Sequence, residues 1–159
     1  MIKQEVKSKM RFVIQRVTKA SCTVDNTVTG QIKNGLCVFI GVSNDDTTQI
    51  ADKMISKLIN MRIFADSEGK TNLSLKDVDG QLLLISQFTL YANCRKGNRP
   101  SFTDAGNPEL ANQLYEYCIE QTKKEIDVVQ TGIFGADMQI ELYNDGPFTI
   151  VLDSNDLAI

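Results

Sequence analysis

Histidine and tryptophan are both missing from the 159 residues of this chain. Without an imidazole, neither a Ser/His nor a Cys/His nucleophilic system can be assembled, and the usual zinc sites lose their commonest ligand. Any chemistry must use other groups. The four cysteines, Cys22, Cys37, Cys94 and Cys118, are scattered without CxxC spacing, so free buried thiols are expected rather than a redox pair or a metal cluster. No stretch approaches the roughly 20 apolar residues that a membrane-spanning helix needs. A soluble, cytoplasmic protein with no membrane partner is expected. A phosphate-cradling loop and a dinucleotide-binding glycine fingerprint are also lacking, so neither cofactor nor metal is anticipated. With 17 basic against 20 acidic residues the net charge is −3. That balance argues against a protein that coats long nucleic acid, because phosphate neutralisation depends on clustered cations. A local basic patch stays open.

What is present suits one domain. The length accommodates a single core, and 42% hydrophobic with 23% charged residues is ordinary globular composition. Residues 1–9 are polar and lack the apolar stretch of a secretory signal; they are expected as a disordered extension ahead of a domain spanning 10–154, with 155–159 as a tail. Arg11 to Thr18 alternates Phe12, Ile14 and Arg16 against Val13, Gln15 and Val17, the period of a strand. Ser21 to Val24 and Val28 to Ile32 flank Asp25-Asn26-Thr27 as a hairpin. Asn34-Gly35 then turns the chain into Leu36 to Val42, continuously apolar as buried strands are. Past a polar cluster at Ser43 to Asp46 that can cap a helix, Ile50, Met54, Ile55, Leu58 and Ile59 recur at helical spacing. Asp66 to Gly69 reads as a turn, and Leu82 to Phe88 as a central strand entered through Asp79-Gly80. Asn107-Pro108 supplies a cap and a first-turn proline for a second helix facing inward through Leu110, Ala111, Leu114, Tyr115, Cys118 and Ile119. Ile126 to Gln130, Met138 to Tyr143 and Phe148 to Leu152 are further strands, the last two separated by Asn144-Asp145-Gly146-Pro147. These elements make an α+β fold whose mainly antiparallel sheet curls toward a barrel beside two principal helices.

Four segments taken in order resemble the D-aminoacyl-tRNA deacylase family: Val13 to Val17 (VIQRV), Ser86 to Leu90 (SQFTL), Arg95 to Phe102 (RKGNRPSF) and Asn144 to Thr149 (NDGPFT). Gly135-Ala136-Asp137-Met138 adds a fifth. Several spaced motifs in register are far more specific than any single one. The resemblance, which spans roughly Met10 to Ser154, implies a compact barrel-like domain that forms a homodimer with its active site at the subunit interface. It implies that Ser86 to Thr89 line the pocket and that Gly146-Pro147, joined by a cis bond, enters the partner's pocket. It further implies hydrolysis of the ester of D-aminoacyl-tRNA, and of glycyl-tRNA mischarged on the alanine tRNA, as chiral proofreading in translation. Phe148 stands where the family often carries a smaller β-branched residue.

Ester hydrolysis needs an attacking water, stabilisation of the developing oxyanion and a held substrate amine. Thr89 is the evident side-chain nucleophile, yet its hydroxyl is weak without an adjacent base. The expectation is therefore that backbone N–H groups around Phe88 and Thr89 cradle the oxyanion, with Gln87 beside them, while the substrate's ribose 2′-hydroxyl orients the water. Ser86 and Gln87 are expected to contact the terminal adenosine or water. A rigid wall built from Gly146-Pro147 suits a chirality filter, because proline fixes φ and glycine permits close approach. The plain alternatives are a buried strand end for SQFTL and an ordinary turn for Gly146-Pro147. Arg16 can hold that turn through its carbonyls or simply lie at the surface. Arg95, Lys96 and Arg99 form the densest basic run and can meet phosphates at the 3′ acceptor end of tRNA, or form a solvated loop. Phe102 is either core or stacking platform. Met138 and Asp137 complete the candidate substrate contacts, Asp137 either orienting a group or capping a turn. Two other readings stand beside this one: a non-catalytic module binding a nucleotide or RNA end, and a hydrolase of small free esters.

Overall fold

The computed structural model describes residues 9–157; residues 1–8 of the expected extension and the last two of the expected tail lie outside it. Strand β1 (Arg11–Val24) is the organising element. One of its edges pairs antiparallel with β8 (Gln139–Asp153) along nearly its full length. The other edge is shared: Arg11 to Val17 pair with β3 (Gly35–Gly41), and Ala20 to Val24 pair with β2 (Thr27–Ile32). Strand β6 (Gln81–Ser86) then adds parallel to β3, and β7 (Val129–Thr131) parallel to β6. The sheet nearly closes where β2 comes back against β7. There the Thr29 hydroxyl donates to the Thr131 carbonyl at 3.1 Å, and a Cβ on Gly30 would stand only 2.8 Å from that oxygen. The expected curl toward a barrel is thus present, in a sheet antiparallel around β1 and parallel through β3, β6 and β7.

Two cores explain why the central strands are apolar on both faces. Leu36, Val38, Ile40, Leu82 and Leu84 face α1 (Thr48–Asn60) and α2 (Pro108–Lys123), whereas Cys37, Leu83 and Ile85 point into the barrel with Val17, Ala20, Cys22 and Ile32. Side chains alternate across a strand, so a strand covered on both sides has no polar face left to read. Helix α1 buries Ala51, Met54, Ile55, Leu58 and Ile59, the stripe its spacing predicts. Helix α2 starts as expected, with Asn107 Oδ1 accepting from the Leu110 N–H at 2.9 Å and Pro108 in its first turn.

Three local expectations are corrected. The cap of α1 is Thr47, whose hydroxyl accepts from the Ile50 N–H at 3.3 Å. The cluster before it does other work: Asp46 accepts from the N–H groups of Ser43 at 2.6 Å and of Lys9 and Met10 at 3.1 Å, tying down the entry to β1. The first hairpin uses the two residues Asp25 and Asn26, at φ 48° and 64°, the left-handed pair of a type I′ turn that matches strand twist. The expected Asp66 to Gly69 turn is present and closes a small hairpin of β4 (Phe64–Ala65) and β5 (Thr71–Leu73). Finally, Asn144 to Pro147 do not separate two strands. Gln15 pairs with Thr149 and Val17 with Asn144, so Asp145 to Phe148 bulge from a single strand opposite Arg16.

Candidate active site

The three parallel strands end on the same side of the sheet, and a cleft of about 760 Å³ opens there. Ligand sites of parallel sheets collect at the carboxyl ends of strands because the chain must leave the sheet at that edge, opening a crevice. Ser86, paired across from Ile40 at the end of β6, is its floor. The strand stops there: the Gln87 N–H donates to the Ile40 carbonyl at 2.8 Å, and Phe88–Tyr91 wind into a 3-10 turn. The central strand therefore ends two residues earlier than its apolar run suggests, and Phe88 stands 57% exposed at the cleft. A 3-10 turn leaves its first N–H groups without internal partners. Those groups belong to Phe88 and Thr89, and among the described residues neither is taken by a backbone acceptor.

The opposite walls come from segments distant in sequence. Phe102 meets Phe88 edge to face, with centroids 5.2 Å apart and planes at 73°. Behind it Thr103, Gly106 and the start of α2 at Asn107 and Pro108 close one side. That wall is sewn to the segment leaving β3 by the Gly106 N–H donating to the Val42 carbonyl at 2.7 Å and by the Asn107 N–H donating to Asn44 Oδ1 at 2.9 Å. A Cβ on Gly106 would lie 3.0 Å from the Val42 carbonyl, so any larger residue would push the two segments apart by a few tenths of an ångström. The other side is Phe134 to Met138, the segment that follows β7. Tyr115 supports it from below: its hydroxyl donates to the Leu84 carbonyl at 2.7 Å while its ring packs against Phe134 at 6.3 Å. Burial pushes the Tyr115 phenol well above its ordinary pKa, so it is a donor and not a base.

Of the residues singled out from sequence, Ser86, Gln87, Phe88, Asp137 and Met138 line the cleft. Thr89 does not line it; its exposed hydroxyl accepts from Gln87 Nε2 at 2.6 Å, which orients the Gln87 amide. Arg95, Lys96 and Arg99 lie on an exposed loop pinched at its base by paired Asn93–Ser101 hydrogen bonds of 2.7 and 2.9 Å. Arg16, Gly146 and Pro147 form a separate corner. The Gly146-Pro147 peptide is cis. Arg16 Nη1 donates to the Ile63 carbonyl at 2.6 Å and Nε to the Asp145 carbonyl at 3.3 Å, with the Asp145 carboxylate 3.4 Å away. The Asn144 side chain closes the bulge, donating to the Arg16 and Phe148 carbonyls and accepting from the Phe148 N–H. Phe12 and Ser86 both pair with Ile40, and Arg16 lies four residues further along β1. The corner is thus about 13 Å along the sheet from the same chain's cleft.

Sequence reasoning missed Thr103, Gly106 and Phe134, and read Asn107-Pro108 only as a helix start. No residue type there signals chemistry. Among the described residues no group of acidic or cysteine side chains is placed to hold a metal ion.

Comparison with known proteins follows the same chain of motifs. The family model described as D-Tyr-tRNA(Tyr) deacylase matches residues 13–153. A D-aminoacyl-tRNA deacylase of Fervidobacterium nodosum is 54% identical over 145 residues, covering 91% of this chain and 97% of its own. One from Clostridioides difficile is 53% identical over 146 residues, covering 92% and 98%. Among solved structures, the c-Myc DNA Unwinding Element Binding Protein superposes with a TM-score of 0.84 at 40% identity over 89% of this chain and 97% of its own. A probable eukaryotic D-amino acid tRNA deacylase, at 18% identity and a TM-score of 0.80 over 91% and 99%, shares the fold. With the model matched across nearly the whole domain and relatives above half identity, this chain belongs to the D-Tyr-tRNA(Tyr) deacylase family.

Proposed function

We propose that this protein hydrolyses the ester linking a D-amino acid to the 3′ end of tRNA, releasing the free amino acid and tRNA. The observation that carries the reading is the pair of uncommitted N–H groups on Phe88, which lines the cleft, and on Thr89, the next residue of the same turn. Water adds to the ester carbonyl, and these two donors hold the oxyanion that forms. One such donor is worth about 3 kcal/mol in comparable enzymes. The C–O bond to the ribose then breaks, and the leaving 3′ oxygen takes up the proton given by the water. The substrate's 2′-hydroxyl orients that water. Gln87, held by Thr89, extends the polar edge, and Ser86, Asp137 and Met138 contact the substrate. Arg95, Lys96 and Arg99 meet the phosphates of the acceptor end.

Stereochemistry is set by a second protomer, whose Gly146-Pro147 corner fills the space that an L side chain would need. The distance between each chain's corner and its own cleft supports a shared site. So does β8, which offers an edge without a strand partner among the described residues and exposes Tyr143 at 60% and Val151 at 67%. Unpaired edges are normally covered, and a two-fold axis would generate two equivalent composite pockets. Glycine has no side chain to exclude, so glycyl-tRNA mischarged on the alanine tRNA is cleaved as well. The reaction needs neither cofactor nor metal and runs in the cytoplasm.

Incubation of the purified protein with D- and L-tyrosyl-tRNA tests this. Selective loss of the D-ester is the expected result; equal loss of both esters would overturn the steric filter. A second reading, non-catalytic binding of a nucleic-acid end, is favoured by the exposed basic loop and by the name of the 40% identical structural neighbour, a DNA Unwinding Element Binding Protein. Binding without loss of either ester would establish it instead.

A further inference from the structure

The turn that carries Phe88 and Thr89 is exposed on its outer side, so something must fix its orientation. The geometry points to Arg11 as the positioning residue of this turn, acting on the two N–H groups through the Leu90 carbonyl. Arg11 Nη1 donates to that carbonyl at 2.8 Å, its Nε donates to Asp153 at 2.8 Å, and its guanidinium carbon lies 5.3 Å from the centre of the Tyr91 ring. Tyr91 is buried beneath it and donates its hydroxyl to the Lys9 carbonyl. One planar cation therefore bridges the turn, the first residue of β1 and the end of β8. Its fork of fixed donors serves both acceptors at once, which an ammonium on a flexible stem does not.

The turn is also anchored by the buried Tyr91 and by the Phe88–Phe102 ring contact, but of these side chains only Arg11 binds a main-chain carbonyl of the turn. Its closing hydrogen bonds from Leu90 to Gln87 and from Ala92 to Thr89 are 3.4 and 3.1 Å long. Oxyanion donors work only when aimed before the reaction begins, and a displacement of about 1 Å costs on the order of 100-fold in rate. Loosening the turn is thus a loss of kcat rather than of substrate binding, which the walls at Phe102 and Met138 provide. This rests on the deacylase reading above.

The test uses Arg11→Met and Arg11→Lys in the full chain, assayed on D-tyrosyl-tRNA well below each variant's melting midpoint. Arg11→Met is expected to lower kcat about 10- to 100-fold with KM within about twofold; Arg11→Lys, reaching one acceptor, should recover part of the loss. Amide exchange of Leu90 and Ala92 should speed up in both variants while that of β3 does not. Unchanged kcat with unchanged exchange at the turn overturns the assignment, as does a loss confined to KM. If Arg11→Met fails to fold, Arg11→Lys carries the test alone. Should the parent protein prove inactive on D-tyrosyl-tRNA, the deacylase reading fails separately, and the exchange rates still decide the role of Arg11.

Discussion

The guanidinium of Arg16 sits over the ring of Phe148, its central carbon 4.6 Å from the ring centre, while Arg16 Nη1 donates to the Ile63 carbonyl. Cation, ring and bulge form one unit. Gly146, at φ 131°, packs so tightly against it that a Cβ there would lie 3.1 Å from Arg16 Nη2. Replacing Phe148 by valine removes a cation–π contact worth about 1 kcal/mol, which frees the arginine and softens the corner. Under the composite-site reading, Phe148→Val leaves D-tyrosyl-tRNA turnover within about threefold and raises hydrolysis of the L-ester about fivefold. Arg16→Ala, which also loses a charge-assisted hydrogen bond, raises it further. Parallel assays of both esters check this, and an unaltered D-to-L ratio in both variants would exclude Arg16 and Phe148 from the filter.

Thr89 is expected to matter little through its hydroxyl. The hydroxyl accepts from Gln87 Nε2 and, among the described residues, meets no base. Thr89→Ala therefore lowers single-turnover rates by less than about tenfold, the worth of one ordinary hydrogen bond. Complete loss of turnover with intact binding would return the hydroxyl to the chemistry.

Arg95, Lys96 and Arg99 make no ion pair among the described residues, so they are available to phosphates. Changing all three to glutamine should weaken tRNA binding and reduce the slope of log affinity against log salt by about 2 to 3. Binding titrations between 50 and 200 mM salt, about the range over which this term is large, supply the slope. An identical slope in the variant would remove the loop from the tRNA interface.

Cysteine reactivity should divide cleanly. Cys22, Cys37 and Cys118 are buried and Cys94 is exposed. Burial pushes the Cys37 and Cys118 thiols up to about 12, and only the thiolate attacks a disulfide reagent. One thiol per chain is expected to react in the native protein and four after unfolding. Rapid modification of more than one in the folded state would contradict the packing.

The loop from β5 to β6 is held by a reciprocal pair: the Ser74 N–H donates to Asp77 Oδ2 at 2.9 Å and the Asp77 N–H to Ser74 Oγ at 3.2 Å. These bonds hold the Asp77 carboxyl below its ordinary value of 3.8. A depressed folded pKa means that the ionised group stabilises the fold above the unfolded value, and that this contribution is lost as pH falls through the folded one. Asp77→Asn should accordingly lower the urea midpoint at pH 7, with the gap to the parent closing as the medium becomes more acidic than 3.8. A gap independent of pH would mean that the carboxylate charge contributes nothing there.

Much of this molecule was legible in one dimension. Helix α1 showed its inward stripe at Met54, Ile55, Leu58 and Ile59, and α2 its start at Asn107-Pro108, because helical period and capping are local properties. Central strands showed as apolar runs, and the spaced motifs carried the family. The run through Phe88 misled, since hydrophobicity marks a strand only while both faces stay covered. Phe88 leaves the sheet where its neighbour β7 has already ended.

What the residues alone determined is the inventory: elements, the two buried faces, and a chemistry stripped of imidazole. Tertiary structure decided the rest. It joined Phe102, Thr103, Phe134 and Met138 around one cleft and turned the presumed boundary at Asn144 to Pro147 into a continuous strand with Asp145 to Phe148 bulging opposite Arg16. It also drew Arg11 to the carbonyl of Leu90, 79 positions away. Such contacts depend on sheet order and register, which arise from the simultaneous burial of many side chains and leave no mark in the spacing of any few residues.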